Sequence, residues 1–219
     1  GSLRGAAILS HGFTRSRQTL AGHARALADA GVLALTPDLP CTFDFRCNAR
    51  ALAALVGLLR AGVAFGAPVE KVMLVGFSAG GLSSLLAADT PGVAGFVGLD
   101  PFDREMRGDT ERLGLTAARQ LRAEVLLMRA PASRCNADAV AAPWAAALPG
   151  LWRDEVIAQA SHCDFESPTD PPPAGSRIVP ADHSSRSTAP RLHVDHDLQI
   201  YGAFGVPEGD GDPLALDVD

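Results

Sequence analysis

Over the first 160 residues, short uninterrupted apolar runs alternate with stretches whose apolar positions recur every three or four residues. The runs are Gly5-Ala-Ala-Ile-Leu-Ser10, Val32-Leu-Ala-Leu-Thr36, Lys71-Val-Met-Leu-Val-Gly76, Val93-Ala-Gly-Phe-Val-Gly-Leu99, Ala123-Glu-Val-Leu-Leu-Met128 and Trp152 to Gln159. Their continuity predicts strands covered on both faces. Leu20, Ala24 and Leu27 mark one face of a helix starting near Arg17 and stopped by Gly31. Further helices are predicted over Ala51–Gly62, Ala79–Ala88, Thr110–Leu121 and Ala137–Ala147, while Pro37 and Pro40 close the second strand. This β-α alternation predicts an α/β domain, with a doubly wound, mostly parallel sheet and helices on both faces. Ligands of such sheets meet the loops at the carboxyl ends of the strands.

The texture changes after Asp170. Residues 171–219 hold seven of the 16 prolines and three of the six histidines, with no sustained apolar period. The expected organisation is a main α/β domain over 1–170, which carries the chemical motifs below, and a loosely ordered Pro/Gly/Asp-rich tail over 171–219. The longest Ala/Leu-rich stretch, Ala51 to Phe65, is interrupted by Arg60, and no apolar run is long enough for a membrane span. The net charge of −6 is concentrated in the tail, and no basic stretch suggests nucleic acid as a partner. Lys71 is the single lysine beside 18 arginines, a bias of GC-rich coding that points to a bacterial source. A monomer is expected.

The sequence carries one strong chemical signal. Gly76-Phe77-Ser78-Ala79-Gly80 matches G-x-S-x-G at a strand-to-helix junction. There a serine is forced into a sharp turn with its hydroxyl exposed above the sheet, and flanking glycines avoid collision with neighbouring backbone. Ser78 is the candidate nucleophile. Ser10-His11-Gly12-Phe13 ends the first strand, where an ester-cleaving site of this design needs its second oxyanion donor. The amides of Phe13 and Ala79 are the candidates, and His11 reads as structural.

His162, just after the last strand, is the candidate base, completing the chain order serine, acid, histidine. His23 falls within a helix. His193-Val-Asp-His-Asp197 invites a metal reading but lacks further ligands at metalloenzyme spacing, so no metal or organic cofactor is expected. Asp100, closing the fourth strand, is favoured as the acid because it sits at a strand end. Asp138, after the fifth strand, is the alternative, and Asp103 a more distant third. Phe13, Phe77, Phe102 and Trp144 supply apolar surroundings, with Phe77, Phe102 and Trp144 as candidate substrate contacts.

The four cysteines (Cys41, Cys47, Cys135, Cys163) have no C-x-x-C spacing. Cys135 and Cys163 fall at one rim, where a bridge would pin the histidine loop, and Cys41 and Cys47 flank a short loop. Disulfides would favour a secreted or periplasmic location, and reduced thiols a cytoplasmic one.

These segments, together with Ala28-Asp-Ala-Gly-Val-Leu-Ala-Leu-Thr-Pro-Asp-Leu-Pro40 and Gly98-Leu-Asp-Pro-Phe-Asp103, resemble the α/β-hydrolases. More narrowly, they resemble the chlorophyllase group and its bacterial carboxylesterase relatives. The resemblance implies a serine carboxylesterase acting on a small-molecule ester. In that group, and in the similar platelet-activating-factor acetylhydrolases, the acid follows the strand after the nucleophile, which implies Asp100. Cutinase-type polyester hydrolases place it one strand later, which would imply Asp138 and a polymeric ester, and can carry a disulfide beside the acid and histidine loops. A catalytically silent binding protein on the same fold is the reading from another class. The first strand begins at residue 5, without the amino-terminal hairpin common in relatives, and the tail lacks their amphipathic closing helix.

Overall fold

The apolar runs form the parallel strands β1 (Ala6–Ser10), β2 (Leu33–Pro37), β3 (Val72–Phe77), β4 (Val93–Leu99), β5 (Glu124–Arg129) and β6 (Leu151–Val156). The computed structural model describes residues 5–105, 112–168, 191–194 and 198–201. In space the strands run β6-β5-β4-β3-β1-β2. The chain steps outward from β1 to β2, then returns to the other side of β1 for β3. That reversal opens a crevice between the carboxyl ends of β1 and β3. Register sets its level, because Ser10 pairs with Gly76, Phe77 with Leu99 and Leu99 with Met128. The loops after β1, β3, β4 and β5 therefore emerge side by side.

Alternate side chains go to opposite faces of the sheet, and both faces are covered. Ile8, Leu35, Leu74, Phe96 and Leu127 belong to the larger core, beneath the helices α2 (Phe45–Arg60), α3 (Ala79–Ala87), α4 (Leu113–Gln120) and α5 (Trp144–Ala147). Leu9, Ala34, Val75, Phe77 and Leu99 pack on the other face with Leu20, Ala24 and Ala28 of α1 (Ala21–Asp29) and its lead-in turn. Among the described residues no helix is long and apolar enough to cross a membrane.

The structure departs from the sequence reading at three places. First, α2 begins at Phe45 rather than Ala51, because Asp44 caps it by accepting from the Cys47 amide at 2.9 Å. Arg46, Asn48 and Arg50 break the apolar period there and hide the first turns. The Asn48 side chain also binds both backbone groups of Cys41, and a Cys41–Cys47 disulfide closes the loop.

Second, the helix expected over 137–147 shrinks to Trp144–Ala147, and Ala137, Asp138 and Ala139 all take positive φ. Third, the edge beyond β2 is covered by an antiparallel pair, β7 (Arg191–Val194) and β8 (Leu198–Tyr201), with β8 bonded to β2. Those two segments lie in the stretch expected to be loosely ordered. The rest of that stretch, including His183 and His196, lies outside the described residues.

A buried carboxylate ties the loop after β4 to the helical layer. Asp103, 2% exposed, accepts from the amides of Arg104, Gly114 and Leu115 and from Trp144 Nε1 at 2.7 Å. A negative charge at the start of α4 also meets the positive end of its dipole. Trp144→Phe keeps most of the ring volume and deletes that one donor. It should lower unfolding free energy by about 1.5–3 kcal/mol, the usual worth of a hydrogen bond to a charged group. Urea titration checks this, and an unchanged midpoint would show that the bond adds nothing.

Candidate active site

Ser78 sits where β3 turns into α3, with φ 51° and ψ −119°. This is a disfavoured conformation for a residue carrying a Cβ, and here it lifts the side chain out of the sheet. The turn closes only because the flanking positions lack side chains. A Cβ at Gly76 would lie 2.5 Å from Gly80 O, and one at Gly80 2.2 Å from Ser10 O. The Ser78 amide donates to Leu99 O at 3.1 Å, and its carbonyl accepts from Phe102 N at 2.9 Å. The elbow and the loop after β4 thus hold each other.

His162 opens a short 3-10 turn, His162–Phe165, after β6. Its Nε2 lies 3.0 Å from Ser78 Oγ, and its Nδ1 lies 2.6 Å from Asp100 Oδ2. The imidazole rests on the Phe77 ring, with centroids 4.7 Å apart. Several bonds fix the turn. Asp164 accepts from the Ser161 amide and hydroxyl at 2.6 and 2.8 Å, and Ser167 exchanges backbone bonds with Gly22 and Thr19. His23 Nε2 bonds Phe165 O at 2.9 Å. Arg15 Nε meets the buried Glu166 carboxylate at 2.8 Å, linking the loop after β1 to the histidine turn.

Asp100 is 2% exposed and also has a positive φ, 40°. Its amide donates to Met128 O, and its Oδ1 accepts from Ala130 N at 3.0 Å. The carboxylate is therefore oriented by the backbone of the neighbouring strand end. Asp138 is exposed and makes no hydrogen bond to the imidazole among the described residues. Asp103 is taken up by α4 and Trp144, as described above.

Phe13 and Ala79 line one small cavity of about 140 Å³ with His11, Gly12, Leu39 and Phe45. Neither the Phe13 nor the Ala79 amide donates to a protein acceptor among the described residues. His11 is buried, with Nδ1 on Gly12 O and Nε2 accepting from the Leu39 amide. It shapes the loop behind the cavity.

The expected apolar contacts sort differently. Trp144 is fully buried and bonded to Asp103, so it is no substrate contact. Phe77 is 2% exposed and serves as a floor under His162, and Phe102 packs on Phe45. Phe13 and Phe43, by contrast, are exposed, 45% and 65% accessible, with ring centroids 5.0 Å apart. The sequence reading missed Phe43, whose only signal was its place between two cysteines. It also missed Asn136, which donates to the Asp100 carboxylate and carries no pattern that distinguishes it from a turn residue.

No family model matches the sequence, and no curated protein matches it. Among solved structures the chain is similar to dienelactone hydrolase from Anabaena variabilis ATCC 29413, at 24% identity, 74% coverage of this chain, 78% of that one and a TM-score of 0.59. This chain has the α/β-hydrolase fold. Within that fold, Ser78 and Asp100 directly follow β3 and β4, and His162 lies in the 3-10 turn of the loop after β6.

Cys135 and Cys163, where a bridge would have pinned the histidine loop, are both free thiols. Burial, reinforced by the Glu166 charge, pushes the Cys163 thiol above its ordinary value, whereas Cys135 is exposed. A raised thiol pKa leaves less of the reactive thiolate at any given pH. With a disulfide-exchange reagent at pH 8, one thiol should react promptly and a second slowly, and Cys135→Ser should remove the prompt phase. A folded protein with no reactive thiol would show that the two are bridged.

Proposed function

We propose that the protein is a serine ester hydrolase acting on apolar carboxylic esters. One observation carries this reading: the continuous Ser78–His162–Asp100 contact, 3.0 and 2.6 Å, on a turn that lifts Ser78 out of the sheet. In this reading Ser78 Oγ attacks the ester carbonyl carbon while His162 Nε2 takes the hydroxyl proton. Asp100 holds the imidazole with Nδ1–H directed at itself and stabilises the imidazolium. The tetrahedral oxyanion accepts from the Phe13 and Ala79 amides, each donor worth about 3 kcal/mol in the transition state. The carbon–oxygen bond to the alcohol then breaks, and His162 returns the proton to the leaving oxygen. Water attacks the acyl-serine by the same proton path and releases the acid. Besides water and the ester, these steps use side chains and backbone amides of this chain.

The exposed Phe13–Phe43 pair beside the 140 Å³ cavity supports an apolar acyl or alcohol group rather than a charged one. Fold similarity to an enzyme named for a lactone, itself a cyclic ester, is compatible with ester chemistry. A cutinase-type polyester hydrolase using Asp138 is less well supported, because Asp138 faces solvent. A silent binding protein would have no reason to keep this aligned set in two positive-φ turns.

Hydrolysis of p-nitrophenyl esters of two, four and eight carbons tests the reading. Wild type should turn over at least the shorter esters, and Ser78→Ala should be inactive. Asp100→Asn should lose on the order of 10³–10⁴-fold in kcat. Asp138→Asn should match wild type. Turnover by Ser78→Ala would overturn the mechanism, and collapse in Asp138→Asn alone would reassign the acid.

A further inference from the structure

The loop after β5 contains the densest backbone strain in the described chain. Ala137, Asp138 and Ala139 follow one another at φ 50°, 57° and 56°, a left-handed run that residues with a Cβ avoid. Strain that survives in a folded protein is held by its surroundings and concentrates where a site needs it. Here the holder is Asn136, 4% exposed. Its Oδ1 accepts from the amides of Ser133 and Ala139, both at 2.9 Å. Those two donors fix which end of the carboxamide is oxygen. Nδ2 must then face the other way, and it donates to Asp100 Oδ2 at 3.1 Å and to Pro131 O at 3.0 Å.

We propose that Asn136 is a positioning residue: a neutral donor that holds the Asp100 carboxylate aimed at His162 Nδ1. This rests on the reading of Asp100 as the acid. Ala130 N holds Oδ1, and His162 and Asn136 share Oδ2, so both carboxylate oxygens are tied down. Neutrality matters as much as the bond. A cation at this position would weaken the field that stabilises the imidazolium, whereas an amide adds a donor and leaves the full negative charge to His162. Arg129 feels the Asp100 charge through space, but its side-chain hydrogen bonds go elsewhere. Arg129 on β5 is paired bidentately with Asp154 at 2.7 and 2.6 Å, and Asp103 is bound to α4 and Trp144. Asp138 points to solvent, and Cys163 next to His162 has a raised thiol pKa.

Asn136→Asp tests the idea with little change of shape, since the substituted carboxylate can still accept from Ser133 and Ala139. A second carboxylate against Asp100 should stabilise the imidazolium. It should move the acid limb of kcat/KM for p-nitrophenyl butyrate up by about one pH unit. Loss of the orienting donor should lower kcat on the order of tenfold or more, with KM little changed. The imidazole C–H resonance of His162, followed by NMR in the Ser78→Ala background, should titrate at correspondingly higher pH in Asn136→Asp. Asn136→Ser keeps a hydroxyl for the loop amides but cannot span to Asp100. It should lose kcat without the shift of the acid limb, and it serves as the test if Asn136→Asp does not fold. Wild-type kcat in Asn136→Ser, or an unmoved His162 titration in Asn136→Asp, would overturn the role of Asn136. Failure of the esterase reading looks different: ester turnover by Ser78→Ala, whatever the NMR titration shows.

Discussion

Where β3 becomes α3, two stretches of backbone pass so close that no side chain fits between them. The carbonyls of Ser10 and His11 lie 2.2 and 2.4 Å from where a Cβ on Gly80 would be, closer than real Cβ atoms come. This contact sets the distance between the loop after β1 and the start of α3, and so brings the Phe13 and Ala79 amides to one cavity. Ser78, in the same turn, takes a positive-φ conformation, at a cost of roughly 1–2 kcal/mol recovered from the packing of β3 and α3. The geometry at the hydroxyl follows from a backbone collision avoided, not from the serine itself.

Asp100 repeats the device one strand over. It too leaves a strand end at positive φ, and its backbone is held by Met128 and its side chain by Ala130. The two kinks are joined through Ser78 O and Phe102 N, so Ser78 and Asp100 are fixed relative to each other before His162 is added. His162 arrives on a loop without such a strand-end anchor. Correspondingly more contacts hold it: the Arg15–Glu166 pair, the Phe77 ring beneath the imidazole and the backbone bonds of Ser167. Rigid elements position two members of the set, and a web of individually modest bonds positions the third.

The parallel sheet was legible because buried strands must be apolar throughout. The elbow was legible because the glycines at 76 and 80 are sterically obligatory. Asp100 stood out by following a strand directly, and the structure puts it against His162. What stayed hidden depended on contacts distant in sequence. Trp144 reads equally as core or cleft until Asp103 claims its indole N–H. Asn136 looks like any turn former until Asp100, 36 residues earlier, is found beside it. The onset of α2 was masked by polar residues facing a cap and a disulfide. A helix predicted over 137–147 failed because side-chain bonding by Asn136 won over local helix preference.

Labelling with a fluorophosphonate tests the central claim most directly. The reagent phosphonylates an activated serine with loss of fluoride, and it needs the serine, the base and the oxyanion donors together. Peptide mass mapping of the folded protein should find one adduct, on Ser78, absent after denaturation before exposure. Folded protein that takes up no label, or takes it up on another serine, would contradict the account.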